Sequence, residues 1–167
     1  MRLSDFILQN QEPILQAWEE FARSVDTPMP AMGPLGLRDH AEHILRSVAL
    51  DMLTSQTSQE QIDKSHGLGP VTADESAAQS HAITRLMAGF TLDQMVSEYR
   101  ALRSSVLRLW LTQEYSGEDH EILDMIRFNE AIDQALVESI AAYGHAVETT
   151  RKTVLGVLGH DLRTPLG

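Results

Sequence analysis

Thr91-Leu92-Asp93-Gln94-Met95-Val96-Ser97-Glu98-Tyr99-Arg100-Ala101-Leu102-Arg103 is the stretch that decides the fold. Thr91 followed three residues later by Gln94 is a capping box, in which side chain and backbone satisfy each other's free N–H groups at a helix start. Leu92, Met95, Val96, Tyr99, Leu102, Val106, Leu109 and Trp110 then recur at helical spacing until Ser116-Gly117 breaks the run. Just upstream, Gly89 suits the left-handed position after a helix, with Phe90 closing the cap. The helix it ends, near Ala88, has its own predicted capping box in Thr72 and Glu75. Helix, tight turn and helix are therefore written into one short segment, and no segment of the chain alternates like a strand.

Outward toward the N-terminus, a first helix is expected over Ser4–Ser24, with Ser4 as N-cap and an apolar stripe of Phe6, Ile7, Ile14, Leu15, Trp18 and Phe21. Pro13 lies inside it and should kink or split it. Three prolines in Thr27–Pro34 predict a loop. A second helix follows over Leu37–Thr54, then a polar stretch with a short helix capped by Ser58, then a loop over Ser65–Pro70 that lacks the residues of a phosphate-binding loop. Outward toward the C-terminus, a fifth long helix should start near Glu118 and meet no proline before Pro165. Ile122, Ile126, Asn129, Asp133, Leu136, Ile140, Tyr143, Val147, Thr150, Val154 and Val157 alternate by four and three along it, as in a heptad seam. The seam is expected to pack within the domain at first, and between two subunits from about Leu136 or Ile140.

The formal charge of −11, with Lys64 and Lys152 as the lysines, argues against nucleic acid and anionic lipid as partners. No cysteine is present, which excludes disulfides and thiolate metal sites. The N-terminal residues lack a signal-peptide core, and no window reaches the roughly 18 apolar residues of a membrane span. A cytoplasmic location is expected.

The last eight residues, His160-Asp161-Leu162-Arg163-Thr164-Pro165-Leu166-Gly167, resemble the phosphoacceptor box of sensor histidine kinases, H-[ED]-L-R-[TN]-P-L. A neutral imidazole is a nucleophile toward a γ-phosphoryl group, and a neighbouring carboxylate can hold its tautomer and accept the charge. The resemblance implies His160 as phosphoacceptor, Asp161 as the base that orients it, and Thr164 in the reverse phosphatase reaction. It also implies ATP and Mg in a kinase domain expected beyond Gly167, so that this piece alone would be inactive, and a response-regulator receiver domain as partner.

The run from His81 to Arg103, with Gly-Phe-Thr-Leu at 89–92 and Glu-Tyr-Arg-Ala-Leu-Arg at 98–103, resembles the N-terminal domain of stressosome RsbR/RsbRD-type regulators. That resemblance extends over about residues 5–148. It implies an all-α, globin-like domain that forms homodimers and usually holds no haem. The expected organisation is a sensor domain over 1–148, followed by a signalling helix and the start of a phosphoacceptor domain over 149–167.

Two further side chains are candidates for sensing. Arg103 borders the apolar stripe of its helix and should be paired with Glu98 or another carboxylate; the alternative is a dimer-interface or anion-sensing role. His81 should be a core histidine bonded to a carbonyl; the alternative is a haem or small-ligand contact. Asp39, His40, Glu42 and His43 offer a weak metal pair at best, and no metal is expected. The reading as a whole is the input and dimerisation half of a two-component kinase. A haem- or small-ligand-binding sensor and a purely structural dimerisation module are its competitors.

Overall fold

The computed structural model describes residues 1–24, 34–54, 58–66 and 76–163. Among these residues there are seven helices and no strand: α1 (Leu3–Gln9), α2 (Gln11–Ser24), α3 (Pro34–Leu53), α4 (Ser58–Ser65), α5 (Ala77–Met87), α6 (Leu92–Gln113) and α7 (Asp119–Arg163). The all-α, globin-like class with a long C-terminal helix is thus the fold observed.

The predicted first helix is two. Pro13 has no N–H to give to the carbonyl of Gln9, so α1 stops at Gln9 and Asn10 turns the chain, its side-chain amide donating to the Phe6 carbonyl at 2.9 Å. Ser4 is not the N-cap; it lies buried inside α1, which begins one residue earlier. The cap comes from α7 instead. Asp124 Oδ2 accepts the Leu3 N–H at 2.9 Å, and the same carboxylate takes three N–H contacts from Arg2 at 2.6–3.2 Å. The first helix is therefore fastened to the last one.

The Thr72/Glu75 box lies outside the described residues, and α5 is capped by a different pair. Ser76 accepts from the Gln79 N–H at 3.1 Å and Gln79 Oε1 accepts from the Ser76 N–H at 2.9 Å. The α5 end closes as expected around Gly89, whose φ of 87° is left-handed. Phe90 N–H reaches the Arg85 carbonyl and Gly89 N–H that of Leu86. Thr91 and Gln94 then cap α6 reciprocally. At the start of α7, Glu121 folds back to accept the N–H groups of Ser116, Gly117 and Glu118 at 2.7–3.2 Å. Burial would raise this carboxyl, but those N–H groups hold it below the ordinary range.

The core is built from Leu3, Phe6 and Ile7 of α1, Ile14 and Trp18 of α2, Ile44, Leu45 and Val48 of α3, Leu102, Val106 and Trp110 of α6, and Phe128 and Ile132 of α7. Each fully buried side chain of this size contributes about 1.5–3 kcal/mol relative to exposure. The α7 face that enters this core carries Glu121, Asp124, Phe128, Ala131, Ile132 and Ser139. That corrects one expectation. Ile122 and Ile126, placed at the intradomain start of the heptad seam, are exposed, because the domain binds α7 through a neighbouring stripe.

Candidate functional site

The α5 and α6 helices each contribute charged side chains to the interior. Arg85 has no exposed surface, and Glu98 is 5% exposed. Arg85 Nε donates to Glu98 Oε1 at 2.7 Å and Arg85 Nη2 to Oε2 at 2.8 Å, a bidentate pair. The guanidinium carbon also lies 4.9 Å from the centre of the Phe90 ring. His81, 2% exposed and one turn before Arg85, brings Nε2 to 3.5 Å from Glu98 Oε2. Burial pushes its imidazole below the ordinary 6.5 and outweighs the pull of Glu98. Burial would raise Glu98, but hydrogen bonding from His81 and Arg85 prevails and holds it below 4.5. The cluster is therefore a neutral imidazole beside an ion pair.

A hydrogen-bonded chain extends this cluster to α7. Tyr99 Oη donates to Ser139 Oγ at 2.6 Å, and Ser139 Oγ donates to the Ala78 carbonyl at 2.6 Å. Burial pushes the Tyr99 phenol well above its usual range, so it stays a donor. Trp18 Nε1 donates to the Glu98 carbonyl at 3.2 Å and adds α2. His81 meets the rings of His40 and Tyr99 edge-on, at 5.7 and 5.8 Å between centres. Around it lies a cavity of about 10 Å³ lined by Trp18, Ala41, Ile44 and Leu102 as well. That volume holds one water at most. A cavity of that size does not hold a haem, and the His81 Nε2 that would have to bind its iron already faces Glu98 Oε2 at 3.5 Å.

His81 is therefore buried as expected, but its neighbour is a carboxylate and not a carbonyl. Arg103 pairs with Asp133 of α7, half-exposed, rather than with Glu98, which Arg85 occupies. Arg85 and Glu98 are the residues that sequence reasoning missed. Their signal was present: Arg85 is four residues from His81 on the face of Ala78 and Ala82, and Glu98 stands between Met95 and Leu102 of the buried stripe.

The seam residues divide into two groups. Leu136 packs partly on the domain's own core, and Tyr143 Oη donates to the Phe90 carbonyl at 2.7 Å. Both serve the fold of the single chain. Ile140, Val147, Val154 and Val157 are exposed, the last two at 52% and 56%. Every residue from Val147 through Leu158 is exposed. His160 and Asp161 lie in the last turn of α7, and Thr164 is outside the described residues. The pair His40 and His43 gathers no third donor among the described residues, and Glu42 is engaged with Arg46. No helix among the described residues is long and apolar enough to cross a membrane.

No curated protein and no solved structure matches the chain. Residues 12–153, from the start of α2 to the exposed part of α7, match the family model of the RsbT co-antagonist protein rsbRD N-terminal domain, and the chain therefore belongs to this family of signalling domains.

Proposed function

We propose that this domain is the input and dimerisation module of a cytoplasmic sensor histidine kinase, with His160 as phosphoacceptor. The observation that carries the reading is continuity. A single helix of 45 residues, about 67 Å at 1.5 Å per residue, starts inside the folded domain at Asp119 and reaches the His160-Asp161 pair without a break. Asp124 and Ser139 fix the buried half of this helix to α1 and α5. Its far half presents Val147, Val154 and Val157 at heptad spacing with no partner in the single chain, which is the pattern of a two-stranded coiled coil. A homodimer would cover them. A tilt or rotation set in the domain would then travel along the paired helices to the imidazoles.

In this reading a catalytic domain holding ATP and Mg phosphorylates His160, Asp161 orients the ring, Thr164 assists dephosphorylation, and a receiver domain accepts the phosphoryl group. The test is a phosphotransfer assay on the full-length protein with His160→Gln. Loss of histidine phosphorylation and of transfer to the receiver is expected; phosphorylation persisting at another histidine would refute it. Under the alternative of a purely structural module, deleting residues 1–115 would leave kinase regulation intact.

A further inference from the structure

Most arginines of the folded domain are already spoken for. Arg2 is paired with Asp124, Arg23 with Glu19, Arg38 with Glu12 and Glu19, Arg46 with Glu42, Arg85 with Glu98 and Arg103 with Asp133. In a chain of net charge −11 this is the expected outcome. Arg100 and Arg108 differ. Neither has a carboxylate within ion-pair distance among the described residues, and both line the same groove, between α2 and α6, with a volume of about 700 Å³. That is the size range of sites for small organic ligands.

The lining has a consistent chemistry. Arg100 and Arg108 lie eight residues apart on α6, about 12 Å along the axis. Ser104 sits midway and already accepts from Arg108 Nη2 at 3.3 Å, while Ser97 and Ser105 add two more hydroxyls to the same helix face. The remaining wall is apolar: Phe21 from α2, and Ala101 and Leu109 from α6. Glu20 stands on the α2 side, where it repels an anion and so assigns the anionic end of a ligand to α6. Two guanidiniums flanking a hydroxyl match the two charges and three acceptor oxygens of a phosphomonoester dianion.

We propose that the α2–α6 groove binds a small organic phosphomonoester, its phosphoryl group between Arg100 and Arg108 around Ser104 and its apolar body on Phe21 and Leu109. Resting on the sensor reading, this names the class of stimulus. Arg103, on the same helix, carries the ion pair to Asp133 of the output helix, so a ligand that shifts α6 shifts that contact.

The experiment is isothermal titration calorimetry of the 167-residue chain with phenyl phosphate, alongside inorganic phosphate and benzyl alcohol. Saturable binding of phenyl phosphate is expected, at least about tenfold tighter than either control, since charge-assisted bonds and apolar contact both contribute. Arg100→Gln and Arg108→Gln should each weaken it by roughly tenfold, Glu20→Gln should tighten it, and Arg46→Gln should leave it unchanged. Absence of saturable binding, or binding by Arg100→Gln and Arg108→Gln as tight as the parent's, would overturn the proposal. All four variant positions are at the surface, so folding is preserved. Because no phosphotransfer is read, the result stands or falls independently of the role given to His160.

Discussion

Arg85 and Glu98 meet through two hydrogen bonds of 2.7 and 2.8 Å at a place where the guanidinium has no contact with solvent. They come from helices separated by the Gly89 turn, and Glu98 also faces His81. Removing one partner leaves an uncompensated charge in the core. Glu98→Leu or Arg85→Met alone should each destabilise the domain by about 3–5 kcal/mol, and the double apolar variant Arg85→Met with Glu98→Leu should cost less than either. Urea unfolding followed by far-ultraviolet circular dichroism measures this; an additive double variant would show that the pair is not coupled.

Acid should weaken the domain in two stages. The unfolded chain protonates His81 near 6.5, whereas burial keeps the folded imidazole neutral to lower pH, so the unfolded state binds more protons and stability falls as pH drops below 6.5. Glu98 is held below 4.5 in the fold, so its contribution is present above that value and is lost as pH falls through its depressed range. His81→Asn should remove the upper stage and leave the lower one. Thermal melts from about pH 7.5 down to about pH 2.5 distinguish the two.

Arg103 and Asp133 form the one ion pair between α6 and α7 among the described residues, and both side chains are partly exposed. A double-mutant cycle with Arg103→Ala and Asp133→Ala should therefore return a coupling of only about 0.2–1 kcal/mol. Under the proposed kinase reading, the same variants should alter the response of kinase output to stimulus more than they alter stability.

Tyr143→Phe removes the bond to the Phe90 carbonyl and should cost about 1 kcal/mol. Its effect should be local. Hydrogen exchange at the α5–α6 turn should quicken, while the amides of Phe128 and Ile132 keep their protection.

Val147→Asp with Val154→Asp should abolish dimers seen by analytical ultracentrifugation and leave the thermal midpoint of the dilute protein unchanged. Both positions are exposed in the single chain, so charge there opposes association without disturbing the core. A monomeric parent protein, or a dimer untouched by the two aspartates, would remove the seam from the account.

What the sequence determined by itself was local. The capping box of Thr91 and Gln94, the left-handed turn at Gly89, the split forced by Pro13 and the unbroken run of α7 all depend on residues within one or two helical turns of each other. Those interactions are readable because helix period, caps and proline geometry act over four residues. The buried Arg85–Glu98–His81 cluster, the capping of α1 by Asp124, the partner of Arg103 and the face that α7 turns inward were decided only in the folded molecule. A helical stripe tells which residues share a face, and the heptad of α7 offered a plausible face. Which face is covered depends on where the other helices lie, because burial is a property of neighbours brought together from distant parts of the chain.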